Sequence, residues 1–260
     1  MQSVFVGLSG GVDSAVSAYL LKKQGYKVVG TFIKGWEPDF LPCTGAEDRL
    51  SAMRVAAHLE IPFVLYDLEK EYKQEVVDYF ISEYKTGRTP NPDVMCNRAI
   101  KFGAFWQKAK ADGADLIATG HYAVSSLEAQ SWKLKASCDS EKDQTYFLWT
   151  LTQEHGFSAS VNERHYVVLK DMKKNELIVS TGPLGEHLEK TFTLLNQNWI
   201  SSSAPDGGLL ARYRYRQQLL PAKVEGKKVM FDAPQLIAAG QSVVFYDSRG
   251  EACLGGGIIA

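Results

Sequence analysis

The run Gly7-Leu8-Ser9-Gly10-Gly11-Val12-Asp13-Ser14 constrains this chain more than any other stretch. A short apolar segment, Val4-Phe5-Val6, precedes it, and a helical pattern follows it directly. A strand, a glycine turn and a helix N-terminus in that order make an anion site. Glycines let the backbone approach a phosphate closely, and the free N–H groups of the first helical turn, with the helix dipole, favour negative charge there. Ser9 and Ser14 add hydroxyl donors, and Asp13 is a candidate partner for a bound magnesium.

The spacing excludes two common phosphate loops. It is not G-x-x-x-x-G-K-[ST], and no lysine is present for a terminal phosphate. Nor is it the dinucleotide fingerprint G-x-G-x-x-G. A Ser/Gly-rich turn that binds nothing would share the glycines, but not the five matching positions in a strand–turn–helix context. S-G-G-x-D-S resembles the pyrophosphate loop of the N-type ATP pyrophosphatases, which split ATP into AMP and pyrophosphate while adenylating a substrate.

The first part of the chain alternates strand and helix patterns. Strands are expected over 3–8, 27–32, 63–66 and 116–119, with helices over 14–24, 46–59, 70–84 and 98–112. This alternation predicts a parallel, doubly wound α/β sheet with the glycine loop at its carboxyl edge, where such folds bind ligands. Beyond residue 165 short strands are expected instead, over 165–169, 176–181, 192–196, 210–216, 228–231 and 242–246. They read as a small all-β, barrel-like domain. The expected organisation is a nucleotide-binding domain over 1–151, a linker over 152–164 and a β-barrel over 165–260. No apolar run approaches membrane-spanning length, and Val4-Phe5-Val6 leads into a polar loop rather than a signal-peptide core, so a cytoplasmic protein with no membrane partner is expected. Net charge is −1, so any RNA contact must come from local patches. The four cysteines, Cys43, Cys96, Cys138 and Cys253, form no C-x-x-C pair, which argues against a disulfide framework or a compact zinc site.

Four further stretches carry candidate chemistry. Thr89-Pro90-Asn91-Pro92-Asp93-Val94-Met95-Cys96-Asn97 reads as a proline-shaped loop that holds Asp93 near Cys96. A thiol at the start of the helix expected near Arg98 would be biased toward thiolate, the reactive form. The alternative is a stiff loop in which Cys96 only packs. Thr119-Gly120-His121-Tyr122 ends a strand at the same sheet edge: Gly120 would admit a nucleotide closely, and His121 would be a ligand contact or a satisfied structural residue. Lys142-Asp143-Gln144 opens an amphipathic helix. Arg212, Arg214 and Arg216 alternate with Tyr213 and Tyr215, so on a strand the arginines share one face at about 6.6 Å spacing, near the spacing of successive phosphates. A solvated arginine face on an edge strand is the alternative.

Taken in order along the chain, these motifs resemble the bacterial tRNA-specific 2-thiouridylases (the MnmA/TrmU family). The glycine-rich tail Gly255-Gly256-Gly257 and Gly240-Gln241-Ser242 add to the match. The resemblance implies a sheet of the adenine-nucleotide α-hydrolase (pyrophosphatase-loop) type. It implies ATP-dependent replacement of the C2 oxygen of a wobble uridine by sulfur. Gly7 to Ser14, Ile33 and Gly120 would hold ATP with magnesium. Asn91, Pro92 and Asp93 would surround the flipped uridine, with Cys96 as nucleophile and Asp93 beside it in catalysis. His121, Lys142, Asp143, Gln144, Arg214, Tyr215 and Gln241 would touch tRNA. A persulfide sulfur-donor protein would be a partner.

The chain departs from that family between the Lys-Asp-Gln helix and the β domain: the linker over 152–164 replaces most of a central segment that would hold a small tRNA-binding domain and a second cysteine. Members carry a second cysteine between the Lys-Asp-Gln helix and the β domain, and no cysteine occurs here between Cys138 and Cys253. Cys96 alone, free sulfide, or Cys138 would then have to serve. Two rival expectations are a degenerate tRNA-binding relative that binds ATP without thiolating, and another pyrophosphatase-loop enzyme that adenylates a small molecule.

Overall fold

The structure is a computed structural model. It describes residues 1–38, 45–128, 131–137, 142–151, 169–171, 176–178, 188–201 and 208–260. The expected linker over 152–164, together with Cys43 and Cys138, lies outside the described residues.

The chain opens β1 (Ser3–Gly7), α1 (Val12–Lys23), β2 (Lys27–Lys34), α2 (Gly45–His58) and β3 (Phe63–Asp67). A helical stretch follows: α3 (Glu69–Tyr72), a π-helical segment Lys73–Asp78 and α4 (Tyr79–Lys85). The next helical run is α5 (Pro92–Met95), a second π-helical segment Cys96–Ala104 and α6 (Phe105–Ala111), and it leads to β4 (Leu116–Ala118). These strands form a parallel sheet in the order β3-β2-β1-β4. Its faces are covered by two apolar clusters, one around Phe5, Ile100 and Phe105 and one around Val6, Ala18 and Ala52. The strand order reverses at β1, whose neighbours are β2 and β4, so a crevice opens above the carboxyl ends of β1 and β4.

The segment expected as a proline-shaped loop is in fact the start of a helix. Asn91 is its N-cap: Oδ1 accepts from Asp93 N at 3.0 Å and from Val94 N at 3.3 Å. Pro92 occupies the first helical position, where its missing N–H costs nothing and its fixed φ suits the helix.

The remaining elements are β5 (Ala123–Glu128), β6 (Ser131–Ala136), α7 (Thr145–Leu148), β7 (Leu169–Asp171), β8 (Glu176–Ile178), β9 (Glu189–Trp199), β10 (Leu209–Arg212), β11 (Leu220–Glu225), β12 (Lys228–Gln235), β13 (Ser242–Tyr246) and β14 (Ala252–Ile259). Strands β13-β10-β11-β12-β9-β14 pair in that order, and β14 pairs back with β13. Closure of this antiparallel ring gives the barrel its edge-free wall. The β5–β6 hairpin adds to β14 from outside, through Ala252↔Lys135 and Cys253↔Leu134. β7 and β8 pair only with each other among the described residues.

The barrel strand expected over 210–216 stops at Arg212. Beyond it Gln217 Oε1 accepts from Tyr213 N (3.0 Å) and Arg214 N (3.1 Å), and Arg216 takes a positive φ of 59°. The chain turns there, so the three arginines share no strand face.

The barrel is clamped to the first sheet through the residues just before α5. Thr89 N donates to Ala239 O (2.6 Å), Gln241 Nε2 donates to Thr89 O (2.9 Å), and Arg88 Nη2 donates to Ile259 O (3.0 Å).

Candidate active site

A cavity of about 450 Å³ opens in the crevice between β1 and β4. Gly7, Leu8, Ser9, Asp13 and Ser14 form one wall. The ends of β2 and β4 contribute Ile33, Lys34, Thr119, Gly120 and His121. The helices bring Tyr72, Cys96, Ile100 and Lys101, and Gln144 closes the barrel side. Ten of the sequence-derived site residues therefore share one cavity. Gly10, Gly11 and Val12 shape the turn without lining it.

The glycine loop is held from within. Ser14 Oγ donates to Gly11 O (3.1 Å) and accepts from Ser9 N (3.2 Å). Gly11 is the N-cap of α1 and supplies no side-chain cap, so the helix presents its first N–H groups to the crevice. Gly120 lets the β4 end approach this turn: a Cβ there would stand 2.7 Å from Ser14 N and 3.0 Å from the Asp13 carbonyl carbon. Gly120→Ala therefore pushes two backbone segments apart. It is expected to cost about 1–3 kcal/mol in urea unfolding.

Cys96 is the fifth residue of the helical run that begins at Pro92, and its N–H already donates to Pro92 O. It is thus one turn inside the helix, not at its N-terminus, and the expected thiolate bias from free N–H groups does not apply. Burial instead pushes the Cys96 thiol above its ordinary value, Lys101 pulls it down, and Asp93 pushes it up. Tyr72 faces the same spot and is pushed up to about 12 by burial, then by Cys96 and Asp93. His121 is buried and shares a 2.8 Å hydrogen bond between Nδ1 and Thr119 Oγ1. Burial, with Lys101 adding to it, holds its pKa well below the ordinary value, so it is a neutral imidazole near pH 7. Gln144 Oε1 is buried with no hydrogen-bond partner among the described residues.

The other expected RNA contacts lie outside the cavity lining. Asn91, Pro92 and Asp93 lie in the turn before Cys96, with Asp93 exposed. Lys142 Nζ donates to Tyr122 OH (3.5 Å), which donates to Asp13 Oδ1 (3.1 Å), so Lys142 is tied to the glycine loop. Arg214 and Tyr215 are half-buried, with Tyr215 packed on the Phe147 ring at a centroid distance of 4.8 Å. Gln241 clamps Thr89.

Asp143 does not face outward. It is 3% exposed, ion-paired with buried Arg212, and accepts from Thr145 Oγ1 (2.8 Å) and Ser137 N (3.1 Å). A buried carboxylate so engaged anchors the Lys142–Gln144 segment to the barrel. Sequence reasoning missed Lys101, Lys34 and Tyr72 in the cavity. The one signal for Lys101 was its spacing of five residues from Cys96.

Two domain families match the chain. The tRNA methyl transferase HUP domain matches residues 2–177, and the aminomethyltransferase beta-barrel domain matches 189–259. Among curated relatives, the tRNA-specific 2-thiouridylase MnmA 2 of Geobacillus kaustophilus is 35% identical over 350 aligned residues, covering 98% of this chain and 94% of that protein. The tRNA-specific 2-thiouridylase MnmA of Streptococcus mutans is 35% identical over 98% of this chain and 94% of its own length. That of Pseudoalteromonas translucida is 34% identical, with 98% and 96% covered. The aligned span of 350 residues exceeds the 260 of this chain, so the relatives carry internal residues that it lacks.

Proposed function

The chain belongs to the MnmA family of tRNA-specific 2-thiouridylases, and from that premise we propose that it replaces the C2 oxygen of a wobble uridine in tRNA by sulfur, with ATP activating that oxygen. The observation that carries this reading is the meeting of the glycine loop and Cys96 in one cavity. An amide-like C2=O has no good leaving group. Its oxygen attacks the α-phosphorus of ATP, an O–P bond forms, and the bond to pyrophosphate breaks. Ser9, Ser14 and the first N–H groups of α1 would hold the departing pyrophosphate. Ile33 and Gly120 would flank the nucleotide. Asp13 would hold magnesium: one carboxylate plus phosphate oxygens is an ordinary magnesium set, and a bound ion would neutralise the pyrophosphate charge. Among the described residues no group of three His, Cys, Asp or Glu side chains forms a metal cage.

The uridine must leave the anticodon stack to enter the cavity. Asn91, Pro92 and Asp93 stand before Cys96 to receive it, and Asp93 is the exposed carboxylate available for its ring proton. His121 and Gln144 offer polar atoms at the wall; Lys142, Arg214, Tyr215 and Gln241 are the proposed contacts further along the tRNA. Sulfur then attacks C2 and AMP leaves. Where that sulfur is the outer atom of a persulfide on Cys96, freeing the product takes a second thiol, which is oxidised to a disulfide with Cys96. Cys253 does not serve, because it is buried in the apolar cluster with Phe102, Leu134 and Trp149 and pushed up to about 12 by burial. The thiol must come from another protein, such as a persulfide donor, or from outside the described residues.

Nucleoside mass spectrometry tests this reading on the full chain with unmodified tRNA, ATP, magnesium and either a persulfide-loaded sulfurtransferase or inorganic sulfide. The expected products are 2-thiouridine, AMP and pyrophosphate. Tight tRNA binding with no 2-thiouridine from either source identifies a non-thiolating relative. AMP formation from a small molecule without tRNA identifies a different adenylating enzyme.

A further inference from the structure

We propose that Lys101 is a positioning residue for Cys96, placed beside it by the π-helical winding of Cys96–Ala104 so that its ammonium favours the anionic form of the sulfur on Cys96. This rests on the reading that Cys96 handles sulfur, and it adds a residue that the sequence motifs did not include.

The geometry of the helix is the first support. In an α-helix the fifth residue onward points about 140° away around the axis, at 3.6 residues per turn. An i→i+5 ladder brings that residue back over the first. Cys96 and Lys101 are five apart inside such a ladder. Its closing bond is explicit: Phe105 N–H donates to Ile100 O. Gly103 shows why the winding is tolerated, since a Cβ there would lie 2.9 Å from Arg98 O, five residues earlier. π-helical turns inside α-helices recur at functional sites.

The charges around the thiol are the second support. Lys101 and Cys96 line the same cavity, and the charge of Lys101 acts on both Cys96 and His121. Apart from Lys34, the other ionisable groups around the thiol and the cavity oppose a thiolate or are neutral. Asp93, one turn earlier, repels it; Asp13 on α1, Asp48 on α2 and Glu37 after β2 carry negative charge; Tyr72 and His121 are neutral. Lys34 at the end of β2 is held by Glu69 (2.8 Å) and Asp67 (3.6 Å). Among the described residues, Lys101 is the cavity cation without a carboxylate partner.

The test reads the thiol rather than the product, so it stands apart from the outcome of the thiolation assay. Iodoacetamide alkylation of Cys96 is followed across pH by mass spectrometry of its peptide, in the full chain. Lys101→Met is expected to alkylate roughly tenfold more slowly near neutral pH, with the profile displaced upward by about one unit. Lys101→Arg is expected to recover most of the rate. Lys101→Gln gives the same comparison if the methionine variant does not fold. A neutral variant with the wild-type pH profile overturns the proposal. So does an arginine variant as slow as the neutral one, because packing rather than charge would then be the cause.

Discussion

Cys96→Ser is expected to abolish 2-thiouridine formation, with a loss on the order of 10³-fold or more, while ATP binding stays within about twofold of wild type. The two effects separate because the groups are on different walls. The glycine loop holds itself together through Ser9, Ser14 and Gly11, and none of those bonds involves Cys96. Serine keeps the shape of the helix but cannot carry a persulfide sulfur. Cys253→Ser supplies the contrast. Its thiol sits in the apolar cluster between the barrel wall and α7, at 3.9 Å from Thr145 O, and removing it is expected to alter stability rather than sulfur transfer. Nucleoside mass spectrometry reads the product and calorimetry reads ATP. Product from the Cys96→Ser protein at the wild-type rate, with sulfide as donor, would remove Cys96 from the chemistry and leave direct sulfide attack on the adenylated base. Pairing the substitution with Cys43→Ser or Cys138→Ser then tells whether another thiol has taken over.

Much of the cavity was legible because its parts are local. The glycine loop needs only a strand before it and a helix after it, and both are written in consecutive residues. Gly120 and His121 follow from a strand end at the same sheet edge. What the sequence hid was long-range or subtle in backbone terms. Asn91-Pro92 looks like a chain breaker, yet it is an N-cap followed by a first-turn proline, which begins a helix rather than ending one. Arg212, Arg214 and Arg216 have strand periodicity, but a Gln217 side chain captures two backbone N–H groups and ends the strand at Arg212. The β5–β6 hairpin pairs with β14, more than a hundred residues later, and no local pattern announces that partner. The π-helical winding that aligns Lys101 with Cys96 leaves only Gly103 as a trace.

Asp143 illustrates how a motif residue can matter without meeting the substrate. It lies between Lys142, which reaches the glycine loop through Tyr122, and Gln144, whose buried amide lines the cavity. Its carboxylate is fixed to Arg212 on β10 and, through Thr145, to Tyr246 on β13, where Thr145 Oγ1 and Tyr246 OH are 2.8 Å apart. The barrel therefore sets the position of one cavity wall, while the Thr89–Gln241 clamp sets the turn before Cys96.

Arg212→Met should be the most destabilising single change at this junction. The guanidinium donates to Asp143 and to Tyr246 OH (2.6 Å) in a site where both charged side chains are less than a tenth exposed. Removing it strands the Asp143 carboxylate in the interior, for which a loss of about 3–5 kcal/mol is expected in urea unfolding. The same variant should lower activity even where it remains folded, because Lys142 and Gln144 lose their anchor. Adding Asp143→Leu should recover much of the stability, since the uncompensated charge is then gone. It should not recover activity, because the anchor is still missing. An Arg212→Met protein that unfolds at the wild-type urea concentration would mean that Arg212 is solvated and free to meet RNA after all. Equal instability of the single and double variants would place the cost in packing around the methionine rather than in the buried charge.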